Sequence, residues 1–285
     1  MELRTTLSIS GRELRTPVWI IGPDVIESEA FTLDLARELR QIAERRALSL
    51  VFKASYEKAN RTSAASFRGP GLAAGLRTLE RVREETGLLV TSDVHDEADV
   101  AAAANVLDVI QIPAFLSRQN RLLERVAATG RTPNLKKGQF LSPWDIPHRV
   151  EVLRSAGAAD VWITERGVSF GYQRLVNDFR VVPLTHEARA VSIFDATHSV
   201  QTPGGAGHRS GGEREFIPTL ARAAVAAGVD GLFFEVHPQP EKALCDGPNS
   251  VPLEHLESLL DQLEPLAQLV RRLPSTPIEG LGPHS

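Results

Sequence analysis

Two sets of side chains in this 285-residue chain have types that could do chemistry. The first is cationic: Lys53, Lys58, Arg61, Arg68, Arg118, Lys136 and Arg166 lie at the ends of short apolar runs or in the segments that follow them. Forked guanidinium donors and ammonium point charges are what phosphate and carboxylate groups want. The number of cations matches two phosphorylated substrates, or one phosphate plus one carboxylate. The second set joins His198, Glu235 and Asp246 with Asp24. One imidazole and three carboxylates suit Mn²⁺ or Fe²⁺, with Zn²⁺ or Co²⁺ also within range. Their spacing is dispersed, unlike a compact H-E-x-x-H motif, so hydrogen-bonded loop carboxylates and a satisfied histidine stand as the alternative. Gly69, Gly71, Gly204, Gly205, Gly207, Gly211 and Gly212 would let backbone approach such anions, although glycine is common in any loop. His95 and His237 read as loop-bonding residues, Trp144, Trp162 and Tyr172 as packing residues, and Cys245 as a buried inert thiol.

The surrounding chain narrows the ligand class. Lys plus Arg is 32 against 36 Asp plus Glu, a net charge of −4. A local cationic cup in an acidic chain points to a small, highly anionic substrate, and no global basic field exists to hold nucleic acid. With one cysteine no intrachain disulfide can form, which fits a reducing compartment. The opening MELRTTLSIS has no apolar signal-peptide core, and no run approaches the ~18 apolar residues of a membrane span. The expectation is a cytoplasmic protein with no membrane partner.

The elements that must position these residues are short β-branched runs: PVWIIG from Pro17, LSLVFK from Leu48, LLVTSD from Leu88, LDVIQI from Leu107, NLKK from Asn134, DVWITE from Asp160, AVSIFD from Ala190 and VDGLFFE from Val229. Helical faces lie between most of them, such as Phe31, Leu35, Leu39 and Ile42, or Leu72, Leu76 and Leu79. Leu256, Leu259, Leu260, Leu263 and Val270 form another near the end, and Ser142-Pro143 reads as a helix start. Eight strands alternating with helices over about 250 residues is the arithmetic of a (β/α)₈ TIM barrel. An open doubly wound sheet competes, weakened because no G-x-G-x-x-G follows the first strand. Around Gly11, Leu3 to Ser8 and Glu13 to Thr16 predict a short N-terminal β-hairpin; residues 1–273 form one domain and 274–285 a frayed tail. The strand ends read Asp24, Lys53, Asp93, Gln111, Lys136, Arg166, His198 and Glu235. In a barrel that edge is the catalytic face.

Several ordered strings together resemble the 3-deoxy-D-manno-octulosonate 8-phosphate synthase family: FKASYEKANRTSAASFRGPGL (52–72), SDVHD (92–96), DVIQIPAFLSRQ (108–119), NLKKGQFLSPWD (134–145), TERGVSFGY (164–172), DATHSVQ (195–201), SGGEREF (210–216) and FEVHPQPEKALCDGPN (234–249). The resemblance runs from about Val18 to Leu273. The K-A-N-R string at Lys58 to Arg61 favours this family over its relative that makes the seven-carbon shikimate precursor. It implies a barrel, usually a homotetramer, condensing phosphoenolpyruvate with arabinose 5-phosphate. It further implies that Lys53, Ser55, Lys58, Gln111, Lys136, Arg166 and His198 serve phosphoenolpyruvate. Asn60, Arg61, Thr62 and Asp93 would serve the pentose phosphate, with Arg118 reaching its phosphate from a neighbouring subunit.

The departure falls at Gly22-Pro23-Asp24, where the family carries a metal-binding Cys or, in a metal-free branch, Asn. His198, Glu235 and Asp246 match the other three ligands. The segments KKGQFLSPWD and DATHSVQTPGG resemble the metal-using branch. An unpaired Asp24 anion would repel phosphoenolpyruvate, which favours a divalent ion shared by these four residues. Thr62 and the string RQNRL (118–122) replace the usual Ser and RQTDL. A paralogue acting on another phosphorylated aldose, or a catalytically inactive sugar-phosphate-binding barrel, are the competing readings.

Overall fold

The computed structural model describes residues 3–59, 67–169, 174–202 and 211–273. The chain starts with a hairpin, β1 (Thr6–Ile9) and β2 (Arg12–Arg15). It continues through β3 (Val18–Gly22), α1 (Glu29–Arg46), β4 (Ser49–Lys53), α2 (Leu72–Thr86), β5 (Leu89–Asp93), α3 (Val100–Val106) and β6 (Val109–Ile112). Next come α4 (Asn120–Ala127), β7 (Thr132–Lys136), α5 (Ile146–Ser155), β8 (Trp162–Glu165) and a two-residue pair, β9 (Val168–Ser169) with β10 (Leu175–Val176). The last part holds α6 (Val181–Glu187), β11 (Val191–Asp195), β12 (Gln201–Thr202), β13 (Gly211–Gly212), α7 (Ile217–Ala226), β14 (Gly231–His237), β15 (Val251–Pro252) and α8 (Leu253–Arg272).

Strands β3, β4, β5, β6, β7, β8, β11 and β14 pair in that order, all parallel, and β11 pairs with β14 to close the ring. Closure removes the open-sheet alternative: the fold is a (β/α)₈ barrel. All eight apolar runs became its strands. Side-chain alternation divides each strand between two cores. Val18 and Ile20 of β3 face the lumen with Val51, Leu89, Val109, Trp162, Val191, Ile193 and Phe233. Trp19 and Ile21 face outward with Leu35, Leu39, Phe52, Leu79 and Val90, in the layer under the helices.

The hairpin turns at Ser10 and Gly11, both with positive φ, as a tight two-residue hairpin requires. Its first strand starts three residues later and ends one residue later than expected, and its second is displaced by one residue toward the N-terminus. Leu7, Ile9 and Leu14 join the lumen cluster, so the hairpin plugs the N-terminal end of the barrel. At the other end the lumen-facing residues turn polar: Lys53, Asp93, Gln111, Lys136, Asp195 and Glu235 are all buried there. Ser142 and Asp145 form a reciprocal capping box with Pro143 in the first position. The turn they open is a short 3₁₀ turn that leads into α5. Trp162 packs as expected, but Trp144 is 54% exposed, with the Arg180 guanidinium 4.8 Å above its ring. It lies outside the core because this loop runs over the rim of the barrel. The expectations for Tyr172 and for 274–285 lie outside the described residues. Among the described residues, no helix is long and apolar enough to cross a membrane.

Candidate active site

The site grows from the period of the strands. Each lumen-facing series runs apolar to polar toward the C-terminal edge, so parallel strands in a closed ring bring their last inward residues to one cup. Gly22 lets β3 approach β4: a Cβ there would sit 1.9 Å from the Lys53 carbonyl oxygen. That approach sets Asp24 against Lys53. The Lys53 ammonium donates to the Asp24 main-chain oxygen (2.7 Å) and to Glu235 Oε1 (2.9 Å), and lies 3.4 Å from Asp24 Oδ1. Lys58 pairs with the same Asp24 Oδ1 and stands 3.8 Å from Asp93 Oδ2.

Asp24 is therefore a paired anion, held between two ammonium groups. Burial would raise its pKa, but Lys58 and Lys53 override that and hold the carboxyl well below its ordinary range. Burial also opposes the charge on Lys58, yet Asp24 and Asp93 raise its pKa well above the usual lysine value. The repulsion argument for a metal consequently lapses, because two ammonium groups already offset the carboxylate. Glu235 differs: burial first, and then the Asp24 charge, push it up to about 7.

Whether a divalent ion fits rests on the donors. One ligand atom each from Asp24, His198, Glu235 and Asp246 lie within 4.8 Å of one another. Among the described residues, Asp24 Oδ2 and Glu235 Oε2 are buried without a conventional hydrogen-bond partner, while the Asp24 carboxylate lies against the Glu235 carboxyl and the Cys245 thiol. Buried, unpartnered carboxylate oxygens are rare and costly, and here two of them share a cluster with an imidazole nitrogen. His198 Nε2 lies 3.6 Å from Glu235 Oε1 and 3.9 Å from Asp246 Oδ2. Asp246 adopts a left-handed backbone conformation, φ 46°, that non-glycine residues avoid unless their surroundings enforce it. The set fits a hard-to-borderline divalent ion.

A second centre lies around Asp195. Its Oδ2 accepts from His198 Nδ1 at 2.8 Å and pairs with the Lys136 ammonium, while Oδ1 accepts from the His198 amide (2.8 Å) and the Thr197 hydroxyl (3.0 Å). This bond places the His198 Nδ1 proton and turns Nε2 toward Glu235 and Asp246. Burial opposes the Asp195 charge, but His198 and Lys136 keep its pKa far below normal. Burial lowers the Lys136 pKa, with Asp195 pulling the other way. Phe233 forms the floor, its ring centroid 3.6 Å from the Lys136 ammonium.

Arg166 closes the cup. Its Nη2 donates to Gln201 Oε1 (3.0 Å), and Gln201 Nε2 donates on to Asp246 Oδ2 (2.7 Å). Among the described residues Nη1 is buried and makes no hydrogen bond, and burial lowers the guanidinium's pKa. A buried charged donor with no acceptor is a seat for an anion. The turn after it is fixed by Gly167, φ 94°, whose amide donates to Glu165 Oε1 at 2.5 Å. The buried Lys137 ammonium lies 3.4 Å from the other Glu165 oxygen. Opposite, Asp93 accepts from Ser55 Oγ (2.6 Å) and from Gln111 Nε2 (2.7 Å).

The structure thus brings together Asp24, Lys53, Ser55, Lys58, Asp93, Gln111, Lys136, Arg166, His198, Glu235 and Asp246. Arg118 is not in this cup: it is exposed on the rim beyond β6, where its charge acts on Asp145. Asn60, Arg61 and Thr62 lie outside the described residues. Sequence reasoning missed Asp195, although the strand-end rule pointed to it: AVSIFD ends on Asp195, and His198 belongs to the 3₁₀ turn that follows. Gln201 closes the DATHSVQ string but was given no role from the sequence. His237 ends β14, and its Nδ1 accepts from the Gln239 amide at 2.9 Å, a loop backbone bond made to an amide where a carbonyl was expected. Cys245 is buried with its thiol pKa pushed up, mainly by burial.

Fold and site together define a TIM barrel with a buried Lys/Arg and carboxylate cup at its C-terminal face, suited to small, highly charged anions. The chain belongs to the DAHP synthetase I family, whose model matches residues 4–272. It is similar to the 2-dehydro-3-deoxyphosphooctonate aldolase of Pelobacter propionicus, 56% identical over 252 residues, 88% of this chain and 93% of the relative. The same-named protein of Syntrophotalea carbinolica is 52% identical over 252 residues, 88% and 91% of the two chains. That of Geobacter sulfurreducens is 53% identical over 257 residues, 90% and 94%.

Proposed function

We propose that the chain condenses phosphoenolpyruvate with D-arabinose 5-phosphate and water to give 3-deoxy-D-manno-octulosonate 8-phosphate and inorganic phosphate, a step towards lipopolysaccharide. The relatives' shared name fits that product. The single observation that carries the reading is the buried, unbonded Nη1 of Arg166 in a cup with Lys53 and Lys136. We assign phosphoenolpyruvate to Lys53, Ser55, Lys58, Gln111, Lys136, Arg166 and His198. The acceptor goes to Asn60, Arg61, Thr62 and Asp93, with Arg118 contributed by a neighbouring subunit of a homotetramer. Residues 1–273 are read as one barrel domain and the protein as cytoplasmic.

In this reading C3 of phosphoenolpyruvate forms a bond to the aldehyde carbon of the acceptor, water adds at C2, and the C2–O bond to phosphate breaks. Lys136 and Arg166 stabilise charge moving onto the leaving phosphate, because fixed cations in a buried site need no reorganisation. Asp93, accepting from Ser55 and Gln111, has oxygen lone pairs left for sugar hydroxyls. Asp195 holds His198 in one tautomer. Asp24, His198, Glu235 and Asp246 would hold a Mn²⁺, Fe²⁺, Zn²⁺ or Co²⁺ ion, which when bound supplies Lewis acidity for orienting the aldehyde or the attacking water. Lys53 and Lys58 lie on the same carboxylates, so any ion works beside two ammonium groups rather than in a purely acidic cage.

The test is phosphate release from phosphoenolpyruvate with and without arabinose 5-phosphate, before and after chelation, with elemental analysis of the purified protein. Release should require both substrates. Release from phosphoenolpyruvate alone, or a higher kcat/KM with a different aldose phosphate, would remove this assignment.

A further inference from the structure

Four side chains on successive strands form a hydrogen-bonded line across the barrel lumen. The Thr164 hydroxyl donates to Asn134 Oδ1 at 2.6 Å, Asn134 Nδ2 donates to Gln111 Oε1 at 3.1 Å, and Gln111 Nε2 donates to Asp93 Oδ1 at 2.7 Å. Thr164 and Asn134 are completely buried and Gln111 nearly so. No substrate contact has been assigned to Thr164 or Asn134 above. The lumen layers beneath them are apolar, and polar side chains among such layers are costly unless bonded.

The direction of the line is fixed from its end. A carboxylate only accepts, so Gln111 must turn its NH₂ to Asp93 and its oxygen to Asn134. Asn134 must then present its own NH₂, which leaves its oxygen for the one proton that Thr164 can give. We propose that Thr164 and Asn134 are positioning residues that lock the Gln111 amide in this orientation and thereby hold Asp93 as an oriented, acceptor-only anion for the acceptor sugar. The link to the sugar rests on the function proposed above; the link to the Gln111 amide does not.

Thr164→Val keeps the shape of the side chain and removes the only proton that Asn134 Oδ1 receives among the described residues. Two measurements follow it: side-chain amide signals of protein labelled with ¹⁵N in Asn and Gln, without substrate, and steady-state kinetics with each substrate varied. The expected result is displaced Asn134 and Gln111 amide signals with faster hydrogen exchange. Alongside it, kcat/KM for arabinose 5-phosphate should fall about fivefold to tenfold, the worth of one net hydrogen bond. Because Gln111 is also assigned to phosphoenolpyruvate, KM for phosphoenolpyruvate should rise too, but by less than kcat/KM for arabinose 5-phosphate falls, and Thr164→Ser should restore both readouts. Unchanged amide signals in Thr164→Val would overturn the relay. Displaced signals with equal losses for both substrates, tracking a lowered Tm, would reduce it to a structural role. Should Thr164→Val not fold, Thr164→Ala removes the same proton and is read the same way. A wild-type protein that does not turn over this substrate pair would sink the proposed function, while the amide signals would still decide the relay.

Discussion

Asp24 stands where a thiolate or an amide would make the chemistry simple, and its neighbours explain how a carboxylate is tolerated. Lys58 and Lys53 take up its charge from one side, and the carboxylate faces Glu235 and the Cys245 thiol on the other. A carboxylate is a harder donor than a thiolate. Asp24→Cys should therefore shift the site from Mn²⁺ or Fe²⁺ toward Cd²⁺, raising the Cd²⁺-to-Mn²⁺ affinity ratio at least about tenfold by calorimetric titration. Equal affinity ratios in both proteins would place the ion elsewhere. Arg166→Ala removes the buried guanidinium with an unbonded nitrogen and its link through Gln201 to Asp246. Charge-assisted hydrogen bonds contribute about 1.5–3 kcal/mol, so kcat/KM for phosphoenolpyruvate should fall at least about tenfold. Wild-type kinetics in that variant would undo the site assignment. Asp93 is depressed because Lys58 and Lys53 outweigh its burial. A lowered folded-state pKa gives stability that is present above the unfolded value near 4 and is lost as pH falls. Thermal melts between pH 5 and 2 should accordingly show a shallower acid loss for Asp93→Asn than for wild type.

Two elements carry the site's precision. The crossing of β3 and β4 leaves no room at Gly22, where a methyl group would meet the Lys53 carbonyl carbon at 2.8 Å and its oxygen closer still. Backbone rather than a flexible side chain is the obstacle. Gly22→Ala should therefore destabilise the protein by about 1–3 kcal/mol or more, seen as a lower Tm, and should displace Asp24 and Lys53 together. An unchanged Tm would mean that β3 shifts freely. The second element is the loop between β14 and β15, which carries Asp246. Its Leu244 amide donates to Glu27 Oε1 at 2.8 Å, beyond the end of β3. The segments that carry Asp24 and Asp246 are thereby tied to each other through the Glu27 side chain, although 222 positions of sequence separate the two residues.

At the scale of the whole molecule, the rim beyond β6 and β7 exposes Phe115, Phe140 and Trp144 next to Arg118. A tetramer that lends Arg118 to a neighbour's site should sediment at four times 31.1 kDa. In that case Arg118→Ala should weaken acceptor binding without changing the mass. A monomeric wild-type protein with full activity would end the shared-site reading. The sequence by itself determined a great deal here. Eight β-branched runs separated by helical faces allow few arrangements, and polar residues at all eight strand ends are hard to reconcile with anything except a catalytic rim. The long ordered strings carried the family. What the sequence left open were the partners of each charge. It left Asp24 open between a metal ligand and a stand-in for Asn, passed over Asp195 for His198, and gave no sign that Thr164, Asn134, Gln111 and Asp93 form one line. Strand periodicity tells which residues face the lumen, but closing the ring decides which of them meet. Pairing across a barrel depends on strand stagger and on the approach of backbones, as at Gly22, and those distances exist only once all eight strands are in place.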